Sequence, residues 1–344
     1  MSELKPININ SEKSQPAEHL TAAEMGKLWA TYTGNSMSIC ILSYFLQHVE
    51  DEEIKQLLEN ALCLSTEFMN MAKEIFEKEG FPIPIGFTKD DVNLSAPRLF
   101  EDEFYVHYLK YVAKAGMSIY NVAIPLVFRE DVRDYFHHCM KSTLVLMEQT
   151  KGILMKKGFI IKPPTIPVPE KVQFVKSAFL NGYFGNVRPL HSLEITHLYD
   201  NIENNATGHA LLTGFSQVVK MKEIRDLFFK GKEITKQAVE RYVNKLNELN
   251  LPSPSFLDQL VTKSTFSPFS DKIMLFHKVD MFSLKIRAFG NSMAVNGRHD
   301  IAFMYTRALM NVSLFVEDGA KIMIENGWME QPPEALDRDS LAIS

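Results

Sequence analysis

The sequence contains few cysteines and no long uninterrupted apolar run, and each absence excludes a class of protein. Only three cysteines occur in 344 residues, all widely spaced in the first half. Such a pattern makes neither a disulfide framework nor a zinc site, and it is typical of a reducing compartment. The longest apolar stretch, 116–128, is interrupted by Asn121 and Pro125 and is shorter than the roughly 20 residues that cross a bilayer. We therefore expect no membrane span.

The sequence also lacks a basic cluster and a signal peptide. Its 37 Lys and Arg and 42 Asp and Glu give a net charge of -5, with the basic residues interspersed among acidic ones. This balance disfavours nucleic-acid binding. Residues 1–19 are polar and have neither the basic start nor the apolar middle of a secretory signal. We expect a cytoplasmic globular protein, and the sequence leaves its oligomeric state open.

The two halves of the chain resemble each other. A shift of 170 residues superimposes eleven identical residues of 20–57 and 190–227 without a gap. The first-half members are Leu20, Glu24, Leu28, Asn35, Leu42, Phe45, Gln47, Val49, Glu53, Ile54 and Leu57. A one-residue change later pairs Arg129 with Arg298 and Glu148 with Glu317. This repeat predicts two domains of common ancestry.

The repeat predicts the domain boundaries. We place the first domain at 20–164 and the second at 190–333. A polar tail, 1–19, precedes them. A linker rich in proline and aromatic residues, 165–189, joins them, and a second tail, 334–344, follows.

Four long helices are predicted in each repeat. Thr21-x-x-Glu24 is a capping box, and apolar residues then recur at helical spacing to about Val49. Further helices are predicted at 52–79, 102–123 and 129–157. Left-handed caps followed by proline are predicted to end the second and fourth helices, at Gly80 and Gly158 in the first repeat and at Asn250 and Gly327 in the second. The pattern predicts an all-α fold of two tandem four-helix bundles.

Several stretches resemble the uncharacterised family known as domain of unknown function 3231. The stretches are 188–205, 228–233, 261–265, 268–272 and the Gly-Trp-Met-Glu-Gln-Pro-Pro segment at 327–333. The resemblance covers almost the whole chain. It implies a duplicated ferritin-like bundle from spore-forming bacteria, in a family sometimes labelled as related to spore coat proteins. It implies no established activity and supplies no catalytic residues.

A ferritin-like bundle raises the question of a metal site. Di-iron bundles need a Glu from each of two helices and a Glu-x-x-His pair from each of the others. The only such pair here is Glu194 with His197, and the first repeat has Lys27 in place of the histidine. The alternative is that Glu24 and Glu194 cap their helices.

A second hypothesis places a metal site at one end of each bundle. If the first helix begins at the end where the third begins and the fourth ends, acids and histidines would meet there. The candidate ligands of zinc, manganese or iron are Glu194, His197, His277 and Glu317, with Glu24, His107 and Glu148 as their counterparts in the first repeat.

The sequence has no nucleophile elbow, phosphate-binding loop or dinucleotide fingerprint. We therefore predict no catalytic or cofactor-binding residues and favour a non-enzymatic structural or interaction protein with protein partners, associated with spores as the resemblance implies. One alternative is a metal-binding ferritin-like protein or oxidoreductase. Another is a carrier of an apolar small molecule, held in a cavity lined by methionine and phenylalanine.

The recurring asparagines and the aromatic linker are two further features of the sequence. Asn35 and Asn205 recur in both first helices, where they either pair across a buried seam or project to a partner. The linker contains Phe174, Phe179 and Phe184. Because it is so aromatic, we expect the linker to dock on a bundle.

Overall fold

A computed structural model of the protein describes residues 19–338 and contains eight long α-helices. They are α1 Ala22–His48, α2 Glu52–Lys78, α3 Asp102–Ala123, α4 Glu130–Lys156, α5 Ser192–Val218, α6 Lys222–Asn247, α7 Asp271–Ala294 and α8 His299–Glu325. Over these residues no strand forms, apart from two isolated bridges. The all-α prediction is confirmed, while 1–18 and 339–344 of the two predicted tails lie outside the described residues. No helix in 19–338 is long and apolar enough to cross a membrane.

The helix ends are those that the local sequence dictates. The Thr21 side chain accepts from the Glu24 amide, while the Glu24 carboxylate accepts from the Thr21 amide, which completes the predicted capping box. The predicted caps Gly80, Gly158 and Gly327 have φ of 64°, 71° and 66°, and Asn250 has 55°. These left-handed conformations favour glycine and asparagine and close the last turn of each helix.

Carboxylates at the helix starts establish the direction of each helix. Asp102, the first residue of α3, accepts from the amides of Glu50 and Asp51 in the α1–α2 turn at 3.0 and 2.8 Å. Glu24 accepts from the Phe128 and Arg129 amides just before α4, both at 2.9 Å. Helix α3 therefore begins where α1 ends, and α4 begins beside the start of α1.

The resulting order is up, down, down, up, with α2 and α3 parallel. Residues 79–101 cross from one end of the bundle to the other to join them. The expectation that the first and third helices begin at the same end is therefore wrong. That expectation overlooked the long connection, which makes two consecutive helices parallel.

The second repeat has the same topology. Asp271 at the start of α7 accepts from the amides of Lys220 and Met221 in the α5–α6 turn. Glu194 at the start of α5 accepts from the Gly297 amide before α8 at 3.0 Å. The helices pack around a ring in the order α1, α2, α4, α3 and again in the order α5, α6, α8, α7. The ferritin-like identity of this arrangement stays a prediction.

The two crossing connections pair with each other about a pseudo-twofold axis. The Asn93 amide donates to the Pro268 carbonyl at 2.7 Å, and the Thr262 amide donates to the Leu99 carbonyl at 3.0 Å. Thr262 lies 169 residues after Asn93, and Pro268 lies 169 residues after Leu99, so the two bonds join equivalent positions of the two repeats. Such reciprocal contacts are those of an isologous dimer interface, here built within one chain.

The same offset corrects one pairing made from sequence. With a displacement of 169 residues, His277 corresponds to Tyr108, and His107 corresponds to Phe276. Tyr108 and His277 hydrogen-bond to each other at 2.7 Å, as expected for equivalent residues on the axis. His107 is therefore not the structural counterpart of His277.

One apolar core runs through both repeats. It includes Phe45 and Phe100 from the first repeat and Phe215 and Phe282 from the second, all fully buried. A second, smaller apolar cluster, which includes Phe76, fills the end of the first bundle at which α1 and α4 begin. Since apolar burial is the main favourable term in folding, the continuous core stabilises the two repeats together.

The connector, residues 165–189, docks on the bundle only near its end. Phe179 stacks under the Arg188 guanidinium, 4.0 Å from the ring centre, and lies parallel to the His191 ring. Val172, Phe174 and Phe184 are instead 87, 91 and 87% exposed. The expected docking is correct for Phe179 and wrong for Phe174 and Phe184.

Candidate ligand-binding site

Helix α7 carries two lysines inside the protein. Lys278 is 0% exposed and Lys285 is 2% exposed. The Lys285 amino group donates to the Asn205 side-chain oxygen at 2.9 Å, and that of Lys278 donates to the Gly208 carbonyl at 3.1 Å. Neither lysine forms an ion pair with any acid of residues 19–338. Buried lysines are rare unless they are paired, which marks this region as unusual.

Gly208 on α5 makes room for both amino groups. A Cβ added there would lie 3.2 Å from the Lys285 nitrogen and 3.8 Å from the Lys278 nitrogen. The two nitrogens are therefore close neighbours. Burial lowers the pKa of Lys285 to about 7, and burial together with the nearby Lys285 lowers that of Lys278 well below its ordinary value.

A polar cavity of about 150 Å³ reaches Lys285 from the seam between the repeats. It lies between α3 of the first repeat and α5 and α7 of the second. Its polar lining is Lys114, Ser118, His197, Asp200, Asn204, Lys285, Arg287 and Asn291, and its apolar wall includes Tyr111, Leu284 and Ala288. Asp200 is already paired with Lys114. Arg287 also lines the cavity, and its charge counteracts the rise in pKa that burial causes at Asp280 on the same helix.

The first repeat has a different cavity at the equivalent place. Gly116 occupies the position that corresponds to Lys285, and a cavity of about 120 Å³ extends there into the bundle interior. Its walls are largely apolar and include Leu42, Phe68 and Val112. The long lysine side chain in one repeat and glycine in the other explain why only the first bundle is hollow at this point.

The two recurring asparagines, Asn35 and Asn205, also have different surroundings in the two repeats. Asn35 and Asn205 are both buried and donate to the carbonyl four residues earlier in their helices. Asn205 additionally accepts from Lys285, whereas Asn35 lines the hollow of the first repeat. Of the two alternatives, pairing inside the protein is observed for Asn205.

The predicted metal ligands are not brought together. Glu194 lies at the start of α5, whereas His277 lies near the start of α7, at the opposite end of the bundle. Glu317 is exposed and pairs with Lys321, and His197 is half-buried in the wall of the polar cavity. In the first repeat, Glu24 and His107 are separated in the same way, because α1 and α3 begin at opposite ends. Within 19–338, no three His, Cys, Asp or Glu side chains group as metal ligands would.

The buried candidate ligands form hydrogen bonds with other residues of the protein. His277 forms a hydrogen bond with the Tyr108 hydroxyl. Burial, and to a smaller extent the charge of the nearby Lys278, lowers the pKa of His277 to about 3. The Glu194 carboxylate accepts from both terminal nitrogens of Arg188 at 2.8 Å and from the His191 amide. Both repeats thus use this glutamate in a capping box, which confirms the alternative interpretation of Glu24 and Glu194.

Lys278 and Lys285 were not among the residues predicted from sequence, although the sequence contains a signal for them. They are seven residues apart and interrupt the apolar face that Met274, Met281 and Phe282 define on α7. A spacing of seven places two side chains on one helix face. The first repeat has Leu109 and Gly116 at the corresponding positions, so the lysine pair distinguishes the two repeats.

The fold and these cavities define an all-α protein built from two copies of one four-helix unit. The family described as protein of unknown function (DUF3231) matches the chain twice, over residues 9–172 and 178–341, and the chain belongs to this family. No curated protein matches the chain. One similar solved structure is a protein from Bacillus halodurans described as a "putative spore coat protein", with 21% identity and a TM-score of 0.40. The match covers 44% of this chain and 98% of that one.

Proposed function

We propose that this protein is a non-enzymatic interaction protein whose connector binds a protein partner. The observation that carries the proposal is the concentration of exposed apolar side chains in residues 165–189. They are Ile166, Val168, Val172, Phe174, Val175, Leu180, Tyr183, Phe184 and Val187. Single exposed apolar residues are ordinary, but a contiguous set marks an interaction site.

The backbone of the connector suits recognition as an extended peptide. Residues 163–176 form no helix, and Pro163, Pro164, Pro167 and Pro169 disfavour one. Extended proline-containing segments bind to aromatic-lined grooves because little conformational entropy is lost on binding. The two bundles, joined by a continuous core, hold both ends of this segment. The partner we propose therefore contributes the groove, and the connector contributes the peptide.

The test is affinity capture with the wild-type chain and a Val172→Ser, Phe174→Ser variant. Because the family resemblance implies an association with spore coats, lysates of sporulating bacteria are the starting material. We expect a partner that the wild type retains and the double variant loses. Both side chains are almost fully exposed, so the helical circular dichroism of the variant should equal that of the wild type.

A matched control separates this effect from general surface hydrophobicity. Phe303 on α8 is also exposed, and Phe303→Ser should retain the partner. A synthetic peptide of residues 163–176 should compete with the wild-type chain for the purified partner. Equal capture by wild type and connector variant, or no competition by the peptide, would contradict the proposal.

A second candidate function is that of a carrier for an apolar small molecule, which the cavity of the first repeat favours. The cavity of about 120 Å³ has mainly apolar walls with a few polar groups, among them Asn35 and Thr143. Small-molecule sites commonly combine an apolar wall with a few polar contacts. Native mass spectrometry of the purified protein should then detect a ligand, and Gly116→Leu should displace it by filling the cavity. A mass equal to that of the bare chain in every preparation would count against the carrier.

A further inference from the structure

The hollow of the first repeat lies where the second repeat holds a lysine side chain. Gly116 and Asn35 are the counterparts of Lys285 and Asn205. The Lys285 amino group donates to the Asn205 side-chain oxygen at 2.9 Å. Both asparagines also donate to the carbonyl four residues earlier in their helices, at 2.8 and 2.7 Å, so their side-chain oxygens have equivalent orientations. The first repeat therefore keeps the acceptor for an amine and lacks the amine.

Polar side chains surround the place of the missing lysine. A Cβ added at Gly116 would lie 3.3 Å from the Tyr120 hydroxyl oxygen. Burial raises the pKa of Tyr120, and the nearby side chains of Thr143 and Asn35 oppose this rise. Thr143 and Asn35 are only 5 and 8% exposed, and all four residues line the hollow. The polar groups that the end of a lysine side chain would meet thus lie at the wall of the hollow.

The hollow is also lined by a carboxylate that has no partner. Asp280 of α7 lines it together with Tyr108 and Tyr111 of α3. Burial, followed by the charge of Asp280, raises the pKa of both tyrosines, which places the carboxylate near these two walls. Among the described residues, Asp280 forms neither a hydrogen bond nor an ion pair, and the Tyr111 hydroxyl donates to the Met281 carbonyl instead. A buried charge without a partner costs free energy, which a cation bound beside it offsets.

We propose that the hollow binds a short primary alkylamine, whose ammonium group pairs with Asp280 and donates to Asn35, and whose alkyl chain occupies the space that Gly116 leaves. The inference rests on the second candidate function, in which this hollow holds a small molecule. Leucine and valine side chains supply apolar contact for the chain, and they are Leu42, Val112 and Leu146.

The size of the hollow sets the length of the amine. A cavity of about 150 Å³ holds a benzene molecule, so the volume of about 120 Å³ admits about five non-hydrogen atoms. n-Butylamine has this size, and it has the carbon chain and the amino group of a lysine side chain. We therefore expect a chain of about four carbon atoms to fit best.

The two repeats divide the amine and the acid between them. Tyr111 is the counterpart of Asp280. The second bundle, which contains Lys285, is therefore matched with a tyrosine at this position, and the hollow first bundle is matched with a carboxylate. No acid of the described residues pairs with Lys285, and burial lowers its pKa to about 7. An amine in the hollow keeps its proton more readily, because Asp280 stabilises the ammonium form.

Isothermal titration calorimetry with n-butylamine and n-butanol tests the inference at about pH 8, where an alkylamine is protonated and Asp280 is ionised. We expect saturable binding of n-butylamine to the wild type. n-Butanol, which has the same length and no charge, should bind about tenfold more weakly. Asp280→Asn should remove this difference, since it keeps the shape of the side chain and removes its charge. Gly116→Leu should abolish the binding of both compounds by filling the hollow.

Asp134→Asn is the matched control, because it makes the same substitution at an exposed position on α4. It should bind both compounds as the wild type does. n-Butanol that binds the wild type as tightly as n-butylamine would overturn the ammonium contact and leave the carrier function standing, and this comparison needs no variant. Undiminished n-butylamine binding by Asp280→Asn would overturn it equally. No binding of either compound at about 10 mM would overturn the inference and count against the carrier as well.

Discussion

Glu194→Ala is expected to lower the free energy of unfolding by about 3–5 kcal/mol, the range for breaking one side of a buried ion pair. The Glu194 side chain is fully buried and accepts two hydrogen bonds from Arg188. It also accepts from the amides of His191 and Gly297. Removing the carboxylate leaves these donors unsatisfied and detaches the start of α5 from the start of α8.

The electrostatics of the site agree with this expectation. Burial alone would raise the pKa of Glu194, but the Arg188 guanidinium and the two amides outweigh burial and lower the pKa. A carboxylate whose folded pKa is lowered contributes stability above its unfolded pKa. That contribution is lost as pH falls through the folded pKa. Wild-type stability should therefore fall more steeply than that of the variant below about pH 4.5.

Glu24→Ala is the matched variant in the first repeat. Glu24 makes the same capping box and accepts from the Phe128 and Arg129 amides, but no guanidinium within residues 19–338 pairs with it. We expect a smaller loss, about 1–3 kcal/mol, because neutral amides rather than a charge are left without a partner. Urea unfolding followed by circular dichroism measures both. A loss for Glu194→Ala no larger than that for Glu24→Ala would contradict the argument.

The sequence allowed the helices to be predicted closely because their signals are local. The predicted third helix, 102–123, is the observed α3, and the other helices of the first repeat differ from prediction by one or two residues at their ends. Capping boxes, left-handed caps and prolines act within a few residues, so they can be recognised without tertiary structure. The internal repeat predicted two copies of one helical unit, and the family matches the chain twice, over residues 9–172 and 178–341.

The structure separates the candidate metal ligands because their positions depend on long-range geometry. Whether α2 and α3 are parallel depends on how the 79–101 connection crosses the bundle, and no local pattern encodes that crossing. Once the crossing is known, Glu194 and His277 cannot meet. The spacing of Lys278 and Lys285 on the apolar face of α7 is a signal in the sequence. Their close approach to Gly208 on α5, however, depends on helix packing that the sequence does not show.

Lys285→Met is expected to change how stability depends on pH. A lysine in the unfolded chain keeps its proton to about pH 10.5, whereas the folded pKa of Lys285 is about 7. Between these values the unfolded state binds more protons, so the stability of the wild type rises with pH. The limiting slope is about 1.4 kcal/mol per pH unit. Methionine has similar volume and no charge, so the variant loses this contribution.

We therefore expect the stability of Lys285→Met, relative to the wild type, to decrease by about 2 kcal/mol between pH 7 and 9. The charged and titratable groups around Lys285 remain in both proteins and largely cancel in this difference. They are Tyr111, Lys114, His197, Asp200, Lys278, Asp280 and Arg287. Relief of the repulsion on Lys278 changes the difference in the same direction. The lost bond to Asn205 adds a constant that does not depend on pH.

Urea unfolding at several pH values between 7 and 9 measures this difference, with Lys236→Met as the control. Lys236 lies exposed on α6 and pairs across one helix turn with the exposed Glu240, and such surface pairs contribute little to stability, so the control should follow the wild-type curve. Parallel curves for Lys285→Met and wild type would mean that Lys285 stays protonated in the folded protein. Its positive charge would then be stabilised without any acidic partner from residues 19–338. Diverging curves would instead show that Lys285 is a neutral amine inside the second bundle near pH 8.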